Sequence, residues 1–326
     1  MSMRKTNPVS SATTALLMDL EKSIMGVIAE NSGEKIFNIL LPKLEEKMYE
    51  NFGLIPQKHE IKTLDKTVII DDVLHEKFEE VLQIVNLNIP VYLTGRAGTG
   101  KNVICQQVAK ALGLDFYFTN AVTQEYKLTG FIDANGNYQE TQFYKAFTQG
   151  GLFFLDEMDA SIPEVLIILN AAIANRYFDF PIGKVEAHPD FRIIAAGNTA
   201  GLGANNVYTG RFCLDRASLD RFAMIMIDYS ETIEKAMARG KEDLVEFAHA
   251  FRKAVDDAGM DVLFSYRTIE RIALLEDVLP SLYEVISISL LKGLILEDVE
   301  TLCRKLNNSD KMRDNKYAKA LMNSQF

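Results

Sequence analysis

The sequence predicts an α/β protein with a five-stranded, mostly parallel sheet, a helical N-terminal arm and an all-helical C-terminal lid. Three observations lead there. Short apolar runs at 89–94, 115–119, 151–155, 191–196 and 223–227 alternate with helical patterns. Apolar strands separated by helices belong to parallel sheets covered on both faces. The first run enters a glycine-rich loop, Gly95-Arg96-Ala97-Gly98-Thr99-Gly100-Lys101, which opens a helix over 103–112. After Tyr229 the pattern is helical to the end.

In chain order, residues 10–51 carry an apolar stripe of Leu16, Leu17, Leu20, Ile24, Val27 and Ile28, then Gly33 as a break. A second stripe has Ile36, Ile39, Leu40, Leu44 and Met48, with Pro42 as a kink or a new start. This arm, residues 1–60, is either a packed prefix or a surface for docking and oligomerisation. Val68-Ile69-Ile70 predicts a short strand, and Asp71 or Asp72 a cap on a helix over 73–85. Asn135-Gly136 signals a hairpin turn, as does Pro181-Ile182-Gly183 between extended pieces at 177–188. These elements fill an α/β domain over 61–230. In the lid, 231–326, helices are expected at 241–258, 266–278, 281–294 and 296–306, cut by Pro280, Gly293 and Asn307-Asn308. The basic stretch 311–319 is expected to be a solvated, partly frayed tail.

Composition narrows the classes. Hydrophobic residues make 48% and charged residues 25% of 326, ordinary for a globular protein. A net charge of −10 argues against coating nucleic acid by bulk attraction, leaving nucleic-acid binding possible but not favoured. Cys105, Cys213 and Cys303 are too scattered for a metal site or disulfide framework, so a reducing cytoplasm is the expected compartment. No apolar run has the length of a membrane span, and no signal peptide is expected.

The chemistry begins at the loop. Strand, glycine-rich turn and helix bring backbone N–H groups and a helix N-terminus to one point, which suits a nucleotide's phosphates. Lys101 would reach the β- and γ-phosphates. The P-loop pattern ends in Ser or Thr for Mg²⁺, and this chain has Asn102 there. Asp156-Glu157 ends the third strand, at the edge where parallel sheets hold ligands. Asp156 would hold Mg²⁺ and Glu157 would take a proton from attacking water; alternatively the pair caps a helix. Asn198, at the tip of the fourth strand, orients that water or makes a turn. Arg216 and Arg221 are five apart and do not share a helix face well, so at least one points away from its own site. One of them could reach a neighbouring subunit's nucleotide, or pair locally with Asp215 or Asp220. Arg267 reaches the γ-phosphate or pairs with Glu270.

With these parts in this order, residues 62–275 resemble the AAA+ ATPases. Within them the chain looks like the MoxR group, and is similar above all to the ATPase subunit of cobaltochelatase, CobS. The carrying residues are Gly197-Asn198-Thr199-Ala200-Gly201-Leu202-Gly203, Tyr208-Thr209-Gly210, Leu219-Asp220-Arg221-Phe222, and the insert from Leu128-Thr129-Gly130 to Asn135-Gly136. The resemblance implies ATP with Mg²⁺ at the subunit interfaces of a homo-oligomer, a hexameric ring. It implies Walker A at Gly95 to Lys101, Walker B at Asp156-Glu157, sensor 1 at Asn198 and sensor 2 at Arg267. Arg221 is implied as the arginine finger, with Arg216 second, and Asn120 as a residue restraining Glu157. It further implies a protein client, or a partner with a von Willebrand-type domain. The insert hairpins would face the ring's centre or top. A DNA-directed motor and a nucleotide-dependent scaffold are the other readings.

Overall fold

The computed structural model describes residues 58–62, 67–204 and 208–323. The expected N-terminal arm lies almost wholly outside the described residues. Pro56–Phe326 forms one unit. It opens with β1 (Lys58–Lys62) and β2 (Thr67–Asp71), an antiparallel pair of which the sequence signalled only the second. The next helix, α1 (Phe78–Asn86), begins later than expected. Residues 73–77 are not helical because side chains there take the backbone donors. Asp72 Oδ1 accepts the Val73 N–H at 2.8 Å, and His75 Nδ1 accepts that of Lys77 at 3.0 Å.

The α/β region continues with β3 (Val91–Thr94), α2 (Lys101–Leu112) and β4 (Phe116–Thr119). An excursion follows: α3 (Tyr126–Thr129), then β5 (Phe131–Ile132) paired antiparallel with β6 (Tyr138–Gln139). Asp133 Oδ1 accepts the N–H groups of Asn135 and Asn137, closing the expected turn. Thr141 caps α4 (Gln142–Gln149), which leads into β7 (Gly151–Leu155). A 3₁₀ turn at Met158–Ala160 precedes α5 (Pro163–Asn175) and the hairpin β8 (Tyr177–Phe180) with β9 (Gly183–Glu186). Then come β10 (Phe191–Gly197), α6 (Arg216–Leu219) and β11 (Ala223–Met226).

The main sheet has five strands in the order β11-β3-β10-β7-β4, and all four pairings are parallel. Successive side chains point to opposite faces, so each strand feeds two cores. Val91, Leu93, Leu152 and Phe154 pack with Val81, Ile104 and Val108 on one face. Tyr92, Phe153, Leu155 and Ile193 pack with Phe143, Phe147 and Leu166 on the other. Register aligns Gly197 with Thr94 and Ala195 with Leu155. The residues just past β3, β7 and β10 therefore meet at one edge.

The C-terminal region has its own core. It comprises α7 (Glu231–Met237), α8 (Glu242–Ala258), α9 (Tyr266–Leu275), α10 (Leu282–Leu290), α11 (Leu296–Asn307), α12 (Asp310–Asp314) and α13 (Lys316–Met322). The stretch 311–319 is not a frayed tail. Met312, Tyr317 and Ala318 are buried in that core, while Lys311, Arg313 and Lys319 face out. The basic residues made the segment look solvated, but they flank buried residues on two short helices. Among the described residues, no helix is long and apolar enough to cross a membrane.

Candidate functional site

The glycine loop joins β3 to α2 at the edge where the strand tips meet. Gly98 has φ 75°, and a Cβ there would lie 2.5 Å from Ser265 Cβ at the start of α9. Only glycine allows both this backbone and this approach. Thr99 Oγ1 donates to Arg96 O at 3.0 Å, fixing the loop on itself. Arg96 points away and pairs with Asp256 at 3.0 Å. Gly100, at φ 83°, is the N-cap of α2.

Lys101 is 8% exposed. Its ammonium donates to Gly95 O at 2.8 Å, Arg96 O at 3.0 Å and Asn198 Oδ1 at 3.2 Å. Burial lowers its pKa to about 8, although Asp156 and Asp159 pull it upward. A partly desolvated cation at the mouth of a ring of N–H groups is suited to phosphate oxygens.

The β7 tip supplies carboxylates. Asp156 Oδ1 accepts the Glu157 N–H at 2.9 Å, and its Oδ2 accepts Asn102 Nδ2 at 3.0 Å. Burial raises the Asp156 pKa from its ordinary value; the hydrogen bond from the Glu157 N–H opposes this, the Glu157 charge adds to it, and Lys101 and Asn102 oppose it. Asn102 Oδ1 is buried without a hydrogen-bond partner. An orphaned amide oxygen beside an ionisable carboxyl is a donor set that fits a hard, oxygen-seeking cation such as Mg²⁺.

Glu157 sits at φ 52°. Its partner is Arg211, whose Nη2 lies 3.3 Å from Oε1. The Arg211 Nε lies 3.4 Å from Oδ2 of Asp159, a fully buried carboxylate. That same Oδ2 accepts from Asn198 N, Thr199 N and Thr199 Oγ1 at 2.8–3.0 Å. Tyr92 completes the tie by donating to Thr199 O at 2.8 Å. Asp159 thus holds the β10 tip in place and aims Asn198 at Lys101.

The structure brings together Lys101, Asn102, Asp156, Glu157 and Asn198. Asn120 is exposed, and its Oδ1 accepts the Ala121 N–H; Arg211 instead stands against Glu157. Arg216 is exposed at the start of α6, and Arg221 donates to Ala217 O. Among the described residues neither arginine forms an ion pair. Arg267 is exposed one residue beyond Tyr266, with no ion pair to Glu270. Sequence reasoning passed over Asp159 and Arg211. Their signal was faint: a third carboxylate after Asp156-Glu157, and a cation directly after Tyr208-Thr209-Gly210.

A strand, glycine loop and helix, with paired carboxylates at the tip of the next strand but one, make an arrangement suited to a nucleotide's phosphates. Residues 90–222 match the AAA domain, dynein-related subfamily. The matched segment contains the loop, both carboxylates, Asn198 and both candidate finger arginines. Among curated proteins, the uncharacterized protein SH1500 of Staphylococcus haemolyticus is 27% identical over 165 residues, covering 47% of this chain and 60% of the relative. The uncharacterized protein SERP0979 of Staphylococcus epidermidis is 29% identical over the same shares. The chain thus spans about 60% of these relatives' length. Among solved structures, NtrX from Brucella abortus is 15% identical, with a TM-score of 0.44 over 88% of this chain and 69% of that one. A putative ATPase from Cytophaga hutchinsonii is 16% identical, with a TM-score of 0.42 over 72% of this chain and 90% of its own.

Proposed function

We propose that the protein hydrolyses ATP and uses the cycle to remodel or activate a partner protein. The observation that carries this reading is the placement of Lys101. Its ammonium stands between the glycine loop and Asn198 Oδ1, within electrostatic reach of Asp156. In this reading the loop N–H groups and Lys101 hold the triphosphate. Asp156 and the Asn102 amide oxygen would hold Mg²⁺, which when bound neutralises charge on the phosphate oxygens. Glu157 accepts a proton from the attacking water, and Asn198 orients that water against the γ-phosphate.

A ring with sites shared between subunits, of the MoxR and CobS kind, completes the proposal. Arg216 and Arg221 lie outside their own site without ion-pair partners among the described residues, which suits a residue that completes a neighbour's site. Arg267 would report nucleotide state to the helical region. The exposed apolar pair Phe131 and Ile132, on the insert hairpin, offers a surface for a client. The net charge of −10 favours a protein client over DNA, and a cytoplasmic setting remains part of the proposal.

The test is ATP turnover together with mass by light scattering, on the unmodified chain and on Glu157→Gln. Expected are Mg²⁺-dependent phosphate release, a loss of at least about a hundredfold in Glu157→Gln, and a nucleotide-dependent shift to a ring in both. ATP binding without turnover in the unmodified chain would sink the hydrolytic reading. A monomer under every condition would sink the shared site.

A further inference from the structure

Arg211 stands between two carboxylates, and its exposure is 13% against 39% for Glu157 and 0% for Asp159. The backbone tethers it on the Asp159 side. The Phe212 N–H donates to Asp159 O at 2.7 Å, and the Leu214 N–H to Gly201 O at 2.9 Å. Of its two partners, the more exposed Glu157 is therefore the one that can be released.

The present pairing is incomplete. Arg211 Nε and Asp159 Oδ1 are both buried without hydrogen-bond partners, although Nε lies 3.4 Å from Asp159 Oδ2. A buried donor and a buried acceptor left unmade side by side are costly, and each is the obvious partner of the other. An arginine grips a carboxylate side-on with Nε and Nη2 together. Here Nη2 is the group that lies against Glu157. Seating Nε and Nη2 together on Asp159 would shift Nη2 relative to Glu157, whose hydrogen bond to it is already long at 3.3 Å.

We propose that Arg211 is a positioning residue for Glu157: it restrains the carboxylate before the nucleotide arrives, and releases it by moving Nη2 onto Asp159. The inference rests on the reading of Glu157 as general base. Two links tie the exchange to the phosphates. The Ala97 N–H, one of the loop's phosphate-facing donors, donates instead to Tyr208 Oη at 2.9 Å. A bound phosphate competes for that N–H, and Tyr208 lies three residues before Arg211. Asp159 in turn anchors the backbone of Asn198, whose Oδ1 meets Lys101. Arg211 therefore stands where the loop and the water-orienting strand tip converge. The resemblance gave this restraint to Asn120, whose Oδ1 accepts the Ala121 N–H.

The test compares ATP turnover and melting temperature of the full chain with Arg211→Gln and Arg211→Lys. Gln removes the charge, whereas Lys keeps a cation beside Asp159 but cannot span both carboxylates. The expected result is a kcat at least about threefold above the unmodified chain for Arg211→Gln, a smaller rise for Arg211→Lys, and KM for ATP within about twofold. A purely structural role for Arg211 lowers kcat. A kcat at or below the unmodified value in a folded variant overturns the proposal, and Arg211→Lys decides alone where Arg211→Gln does not fold. Adding Glu157→Gln to Arg211→Lys must erase the gain. A gain that survives it shows another group to be the base, and overturns both readings. Silence of the unmodified chain and both variants does the same, whereas activity without gain overturns this proposal alone.

Discussion

The Asn102 side chain donates its amide N–H to Asp156 Oδ2 across 3.0 Å, so the face it shows Asp156 is a donor face. A cation held by both residues needs oxygen from each. The amide must therefore turn over, and the hydrogen bond to Asp156 must break. A hydroxyl in its place needs only a rotation of its proton. Asn102→Thr is expected to lower the Mg²⁺ concentration for half-maximal turnover by about threefold or more, with ATP affinity in the absence of Mg²⁺ little changed. Equal midpoints for the two proteins would show that the amide turns over at no cost.

Nucleotide binding should take up a proton at alkaline pH. The Lys101 pKa, lowered to about 8 by burial, means that above this value the free protein's amine is mostly neutral. Phosphate oxygens favour the ammonium and raise the pKa of the bound state. Between the two pKa values binding draws a proton, and at pH 7, below both, it draws almost none. At pH 9 the expected uptake is about 0.9 proton per site. Calorimetry in two buffers of different ionisation heat measures it, and Lys101→Met should remove it.

Glu234 is 1% exposed and pairs with both Arg252 and His249. The Arg252 guanidinium also lies 3.8 Å from the Tyr229 ring centroid, and Tyr229 Oη donates to Ala97 O in the glycine loop. Truncation strands a largely buried cation, since Arg252 is only 11% exposed. Glu234→Ala is expected to lower stability by about 3–5 kcal/mol, read from denaturant unfolding. His249→Ala, at a side chain 47% exposed, should cost about 1 kcal/mol or less.

The C-terminal turn of chain is structural. Tyr317 is fully buried; its ring packs with Phe247 at 5.9 Å between centroids, and its hydroxyl donates to Glu276 at 2.6 Å. Tyr317→Ala should destabilise by about 3–5 kcal/mol, whereas Lys311→Ala should change stability by less than about 0.5 kcal/mol. A small effect at Tyr317 in thermal unfolding would restore the frayed-tail expectation.

The sheet was legible because its three central strands are buried on both faces. Gly151–Leu155 has no polar residue, and Phe191–Gly197 carries only Arg192. The glycine loop was legible because its spacing is a backbone requirement. The start of α1 was not: His75 and Asp72 divert N–H groups that a helix would have used. The last helices were hidden because four basic residues lie among four buried ones over nine positions. Asp159 and Arg211 form a contact across 52 positions, which no local pattern encodes.

The seam between Gly98 and Ser265 is narrower than a single methyl group. Gly100 faces the Tyr266 ring at ordinary contact distance, a Cβ there lying 3.6 Å from Cε2. A loop that shifts by a fraction of an ångström to seat a triphosphate cannot do so unnoticed by α9. Steric exclusion at this contact works as a feeler gauge whose other arm is a helical body with its own core. Occupancy of the loop is then transmitted as displacement rather than as charge, and high salt, which silences surface ion pairs, should leave that channel open.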